Sequence, residues 1–169
     1  DDLMQYLNRE YYIGLLSASA LHGAGHQQPM QFQVMTKKPP LRSINNKKLN
    51  IHFFVKSKWQ QEDITEKKAE TGFIKVSSPS LTAFDLVHYH KKIGGLNRII
   101  PILVDLVESI KTSDLNRTAS HQKAPDIQRL GYFFEQLGNE KLAHALFRRI
   151  EKKPLRDIPI SLAHKSREG

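Results

Sequence analysis

The sequence predicts an α+β domain in which a small, mainly antiparallel sheet packs with several helices and the chain closes in a C-terminal αα-hairpin. Apolar residues recur at helical spacing near the start, alternate with polar residues in the middle, and return to helical spacing in the last third. Of the 169 residues, 39% are hydrophobic and 25% charged, which is typical of a globular chain. We therefore expect one domain over residues 1–169, which can be subdivided into an α/β core at 1–112 and a helical hairpin with a terminal strand at 113–169.

The first segment predicts a largely buried helix that ends at Gly23 and Gly25. Residues four apart lie on one helical face, and two such rows run side by side. The rows are Leu3, Leu7, Tyr11 and Leu15, and Tyr12, Leu16 and Ala20.

The middle of the chain predicts strands, because apolar and polar residues alternate there with aromatic and branched side chains. The segments are 30–34, 49–55 and 72–76. Asn45-Asn46-Lys47-Lys48 has turn chemistry and predicts that a short strand at 41–44 forms a hairpin with 49–55. The charged run from Glu62 to Glu70 predicts an exposed loop.

Helices dominate the second half. Ser78 before Pro79 predicts a helix start, and Gly94-Gly95 its end. A stripe of apolar residues over 96–110 predicts the next helix, whereas the polar segment 114–124 predicts a linking loop.

Two further helices, at 126–137 and 142–150, meet at Gly138-Asn139 and predict the αα-hairpin. Alternation at 158–162 predicts a last strand, which Pro159 places at the edge of the sheet.

Candidate metal and acid–base residues are sparse. His22 and His26 are four apart, but Gly23 and Gly25 break the helix that would align them, so we expect His22 to make a helix-end hydrogen bond. Asp85, His88 and His90 invite an acid–base interpretation, although such residues more often form an ion pair on the helix surface or cap a neighbouring strand.

A metal-dependent nuclease would need an acidic residue two positions before Lys75, where Phe73 stands. Gly94-Gly95 favours a turn between helices over an anion site. We therefore expect no catalytic residue, no cofactor and no metal.

The basic residues remain as candidate functional groups. The 26 Lys and Arg residues outnumber the 17 Asp and Glu residues, and the resulting charge of +9 favours polyanions such as DNA or RNA. If the hairpin forms, one group of cations should converge at one region of the sheet and contact phosphates weakly and electrostatically, with a solvated loop rim as the alternative. Its members are Lys37, Lys38, Arg42, Lys47, Lys48, Lys56 and Lys58. Arg148, Arg149, Lys152 and Lys153 are better explained as complements to a helix dipole.

Several blocks in order resemble the C-terminal effector domain of the AbiEi antitoxins of bacterial type IV toxin–antitoxin systems. They are Tyr12-Ile13-Gly14-Leu15-Leu16-Ser17-Ala18 with His22-Gly23, Phe32-Gln33-Val34, Ser78-Pro79 with Thr82 and Asp85-Leu86, Gly94-Gly95-Leu96-Asn97, and Gln128-Arg129-Leu130-Gly131-Tyr132.

The resemblance implies an antitoxin and transcriptional regulator, not an enzyme, that counteracts a nucleotidyltransferase toxin without a stable complex. It also implies an N-terminal winged helix for operator binding and autorepression, which these residues lack. The chain begins at Asp1, and we expect it to be part of a larger protein.

We expect a cytoplasmic protein, because no apolar run reaches the roughly 20 residues that span a bilayer. The alternatives are a nucleic-acid-processing enzyme domain and a protein-interaction domain without anion preference.

Overall fold

The computed structural model describes residues 2–25, 29–69 and 72–151. Within them lie a six-stranded sheet and seven α-helices. The strands are β1 (Tyr11–Ile13), β2 (Phe32–Thr36), β3 (Ile44–Asn45), β4 (Asn50–Val55), β5 (Ile64–Ala69) and β6 (Gly72–Ser77). The helices are α1 (Asp2–Tyr6), α2 (Leu15–Leu21), α3 (Pro79–Tyr89), α4 (Leu96–Leu106), α5 (Thr112–Ala119), α6 (Ala124–Gln136) and α7 (Glu140–Ile150).

The sheet has the strand order β3-β4-β2-β1-β6-β5. Pairs β1–β2, β3–β4 and β5–β6 are antiparallel, and pairs β2–β4 and β1–β6 are parallel. The predicted α+β class with a mainly antiparallel sheet is therefore confirmed. The main hydrophobic cluster extends from Tyr12 to Ile150 and joins the sheet to α2 and to the later helices.

The predicted hairpin is confirmed, with Ile44 opposite Ile51. Its turn is held by the Asn46 side chain, whose Oδ1 accepts hydrogen bonds from the backbone N–H groups of Lys48 (2.9 Å) and Leu49 (2.8 Å). An asparagine that folds back on its own backbone is the turn chemistry that the sequence predicts.

The predicted αα-hairpin is also confirmed in α6 and α7. Gly138 between the helices has a φ of +74°, which favours glycine, and the Asn139 side chain caps α7 by accepting from the Leu142 N–H at 3.1 Å. Helix α6 begins at Ala124, two residues before the predicted start. The predicted strand at 158–162 lies outside the described residues.

The prediction of one long N-terminal helix is wrong. Helix α1 ends at Tyr6, and Tyr11–Ile13 form a strand between β2 and β6. All three strand residues are buried, because neighbouring elements cover both faces of this central strand, so they show no alternation. Hydrogen bonding of this strand to β2 and β6 outweighs the helix-like, four-residue spacing of the apolar residues.

Two segments predicted as loops are regular elements. Residues 64–69 form β5, an edge strand whose charged residues Glu66, Lys67 and Lys68 suit an exposed edge but hide the strand pattern. Residues 112–119 form α5, which carries a single large apolar residue, Leu115, and therefore shows little periodicity. The buried Thr118 Oγ1 donates to Asp63 Oδ1 at 2.7 Å and ties α5 to the start of β5.

Candidate nucleic-acid interface and an adjoining basic cavity

The predicted basic cluster lies at two ends of strand β4. Strands β2 and β4 run parallel with Thr36 opposite Val55, so the residues that follow them emerge at the same edge of the sheet. We call Lys37, Lys38, Lys56 and Lys58 the strand-end group, and Lys47 and Lys48 in the hairpin turn the turn group. Six residues of β4 separate the groups by roughly 20 Å.

Arg42 precedes β3, which runs back along β4, and so lies between these two groups. The cations therefore follow one edge of the sheet instead of converging at a single region.

Lys56 of the strand-end group is directed into the protein. Its Nζ forms an ion pair with the carboxylate of Asp85, and the two side chains are 16% and 0% exposed. The other Asp85 oxygen accepts a hydrogen bond from the Tyr12 hydroxyl at 2.7 Å. Burial, and next the Asp85 carboxylate, raise the pKa of Tyr12 well above its ordinary value, so this phenol stays protonated. Lys56 thus compensates a buried charge.

Lys37 is also engaged, because it pairs with Glu10 and its Nζ lies 5.1 Å from the centre of the Trp59 ring. Arg9, which the sequence analysis did not single out, donates to the carbonyls of Lys37 (2.8 Å) and Pro39. Both residues hold the loop after β2 in place.

The remaining predicted cations are free to contact a ligand. Lys38, Arg42, Lys47, Lys48 and Lys58 form no ion pair with any described residue. A phosphate contact by one of these side chains would break no existing pair.

A cavity of about 300 Å³ adjoins the strand-end group, and we call it the basic cavity. It lies where the chain leaves β4, between the end of α3 and the start of α6. Its walls are formed by Val55, Lys56, Ser57, Lys58, His88, Tyr89, His121, Gln122, Lys123 and Asp126. The sequence analysis missed His121 and Lys123, which both lie in the segment 114–124 that was predicted as a loop.

The predicted acid–base partners do not form one site. His88 Nδ1 is 2.7 Å from Asp126 Oδ2, not near Asp85, and His90 Nδ1 donates to the Val87 carbonyl at 2.7 Å. An ionised carboxylate only accepts, so the Nδ1 of His88 carries the hydrogen. Asp85 therefore pairs with Lys56 and His88 pairs with Asp126, so Asp85 and His88 do not form the candidate acid–base pair.

Tyr89 lies close enough to Asp85 and Asp126 for both carboxylates to act on its hydroxyl. Its hydroxyl donates to the Val55 carbonyl at 2.7 Å. Burial, and next the charges of Asp85 and Asp126, raise the pKa of Tyr89, so its hydroxyl remains a donor.

The other candidate residues have structural partners. His22 Nε2 donates to the Ser77 carbonyl at 2.7 Å, which is the hydrogen bond expected at this helix end, while His26 lies outside the described residues. Gly94 and Gly95 have φ values of +109° and +85° and form a turn between helices. Over the described ranges, no group of three or more histidine and acidic side chains is placed to hold a metal ion.

A second basic groove, of about 570 Å³, lies between α5 and α7. Lys141, Arg148 and Arg149 line it together with Thr112, Asn116 and Ala145. The sequence analysis assigned the two arginines to the helix dipole and missed Lys141, although Lys141 and Arg148 are two helical turns apart on one face. Lys152 and Lys153 lie outside the described residues.

The sequence profile of the AbiEi antitoxin C-terminal domain matches residues 12–136. The chain belongs to this family. The described AbiEi fold also resembles the crystal structure of the RV2827C protein from Mycobacterium tuberculosis, with a TM-score of 0.68 and 16% sequence identity. The alignment covers 94% of this chain and 57% of that one, so this AbiEi domain spans little more than half the length of its structural relative.

No curated protein shows significant sequence similarity to this chain. Its family membership supports an antitoxin role, for which a toxin is the general partner. Among the described helices, none is both long enough and apolar enough to cross a bilayer.

Proposed function

We propose that this domain is the effector domain of an antitoxin in a type IV toxin–antitoxin system, and that the toxin is a nucleotidyltransferase. The family match over residues 12–136 is the observation that carries the proposal. In such a system the antitoxin counteracts its toxin without binding it stably. The domain would then act as a non-enzymatic competitor in the cytoplasm, at a nucleic-acid or nucleotide-bearing target.

Charge and side-chain geometry support the competitor role. The chain carries a formal charge of +9, and the free cations Lys38, Arg42, Lys47, Lys48 and Lys58 follow one edge of the sheet. Cations spread along an edge can follow successive phosphates of a nucleic-acid backbone, which gives affinity without sequence preference. We infer that autorepression belongs to the whole parent protein, with a winged helix N-terminal to this domain.

Binding of a short random-sequence duplex at several salt concentrations tests the nucleic-acid contact. The test variant replaces Lys38, Arg42, Lys47 and Lys48 with glutamine. Each phosphate contact that is lost should reduce the slope of log affinity against log salt by about 0.9. The reduction should therefore reach about 3.6 if all four side chains contact phosphates.

A matched control replaces four exposed lysines elsewhere, Lys68, Lys75, Lys91 and Lys111, with glutamine. This control loses the same net charge as the test variant, but its slope of log affinity against log salt should stay closer to the wild-type value. An equal reduction of the slope in the two variants would show that only net charge matters. Absence of duplex binding by the wild-type domain at low salt would refute the proposed interface.

A further inference from the structure

The basic cavity has the size and the wall chemistry of a small-molecule site. Its volume of about 300 Å³ lies at the lower end of the range of roughly 300–1,000 Å³ found for ligand pockets. Three separate parts of the chain form its walls: the segment after β4, the end of α3, and the turn that leads into α6. A ligand here would be held from several sides.

The acidic wall of the cavity is already compensated. Asp126 is buried, and its two oxygens lie 2.7 Å from His88 Nδ1 and 3.6 Å from Arg129 Nη1. Asp85 lies behind the wall and is compensated by Lys56. Neither carboxylate therefore carries an unmatched negative charge that would repel an anion.

The cationic wall is not compensated. Lys58 and Lys123 are exposed, line the cavity from the segment after β4 and from the residue before α6, and form no ion pair with a described residue. Two uncompensated ammonium groups that line one cavity match a dianion better than they match a single negative charge. Lys123 directly precedes α6, and the first turn of that helix holds the Asp126 carboxylate.

Aromatic rings complete the walls. His88 is fixed through Nδ1 by Asp126, and its ring packs edge-on against Tyr89 with the ring centres 4.7 Å apart. His121 lines the cavity from the turn before α6. Flat rings beside an anion site suit a ligand that joins a phosphate to a planar group.

We propose that the basic cavity binds a phosphate monoester, with Lys58 and Lys123 as the ligands of the phosphate group. Two sources share this chemistry: a free mononucleotide and the terminal phosphate of a nucleic-acid strand. The inference does not rest on the proposed antitoxin mechanism, because it concerns the basic cavity and not the cations along the edge of the sheet.

The test follows the imidazole NMR signals of His88 and His121 during titration with inorganic phosphate and with adenosine 5′-monophosphate. A pH of about 7.5 keeps most phosphate monoester dianionic, because its second pKa is about 6. Both probes should shift the two signals saturably, whereas adenosine and potassium chloride at matched ionic strength should not. No saturable shift with either phosphate probe would overturn the proposal.

Substitution locates the site. Lys58→Gln and Lys123→Gln should each weaken phosphate binding by about tenfold, as expected for loss of one charge-assisted hydrogen bond at an accessible site. Lys68→Gln and Lys111→Gln, which remove equal charges from outside the cavity, should leave the affinity unchanged. Equal weakening by all four variants would overturn the assignment. Both cavity lysines are exposed, so the variants should fold, and a circular dichroism melt checks this.

Two further experiments distinguish the two sources of the phosphate group, and distinguish the cavity site from the proposed duplex contact. Stronger binding of a 5′-phosphorylated oligonucleotide than of its 5′-hydroxyl form supports a strand terminus, whereas mononucleotide binding without that difference supports a free nucleotide. The Lys38, Arg42, Lys47 and Lys48 variant should bind phosphate like wild type. Cavity binding can therefore survive even if the duplex contact and the antitoxin mechanism fail.

Discussion

Removing the ammonium group of Lys56 should destabilise the domain strongly, because the carboxylate of Asp85 is fully buried and loses its only cation among the described residues. Lys56→Met keeps most of the apolar stem of the side chain and removes the charge. Breaking a buried ion pair from one side costs about 3–5 kcal/mol. That is a large part of the roughly 5–15 kcal/mol by which domains of this size are stable.

Urea unfolding followed by circular dichroism measures this cost. With a slope of about 2 kcal/mol per molar urea, the midpoint should fall by about 1.5–2.5 M. The matched control is Lys58→Met, two residues further along the chain, where the exposed side chain forms no ion pair with a described residue and the change should stay within about 0.5 kcal/mol.

A double variant tests whether Asp85 is the cause. Adding Asp85→Asn to Lys56→Met removes the buried charge and keeps an acceptor for the Tyr12 hydroxyl, so at least half of the lost stability should return. A Lys56→Met variant as stable as the Lys58→Met control would refute the buried ion pair between Lys56 and Asp85. Lys56 would then be available to contact a ligand, like the unpaired cations.

Two other substitutions test the core and its pH dependence. Leu16→Ala should cost about 2–5 kcal/mol, because Leu16 is 6% exposed and belongs to the main cluster; an unchanged thermal melt would show that α2 is not packed. Burial, opposed by the hydrogen bond to Ser77 and aided by the charge of Lys67, lowers the pKa of His22. The unfolded chain then binds more protons, so stability should fall as pH drops through about 6.5. His22→Gln should lose less stability between pH 7 and pH 5, and an identical pH profile would contradict this role.

Local signals predicted the elements that depend on local chemistry. The Ser78 side chain caps α3 through the Leu81 N–H at 3.3 Å, and Asn46 closes the β3–β4 turn. Helices α6 and α7 show clear apolar periodicity because each packs one face against the core. These signals are present in windows of a few residues, so sequence reasoning found them.

Elements that depend on distant partners were missed. Strand β1 pairs with β2 and β6, which lie about 20 and 60 residues away in sequence, and other elements of the fold cover both of its faces. Strand β5 looks like a loop because an exposed edge tolerates charges, and α5 has only Leu115 as a large apolar anchor. In each case the tertiary neighbours decide the structure more than the local pattern does.

The sequence predicts which cations belong to the candidate interface, but not where the fold places them. The sequence identifies the seven cations, but it does not show that β2 and β4 run parallel, which brings Lys37 and Lys38 beside Lys56 and sends Lys47 and Lys48 to the far end. It also does not show the partner of Lys56, since Asp85 lies 29 residues away. His121 and Lys123 become cavity residues only when the start of α6 meets the end of α3.

Growth rescue tests the central claim most directly. Residues 1–169 are expressed beside the toxin of the same system, which the proposal expects to be a nucleotidyltransferase, and the soluble fractions are then analysed by gel filtration. The account predicts that the domain restores growth and that toxin and domain elute separately. Failure of a soluble domain to restore growth, or a stoichiometric complex that survives gel filtration, would contradict it.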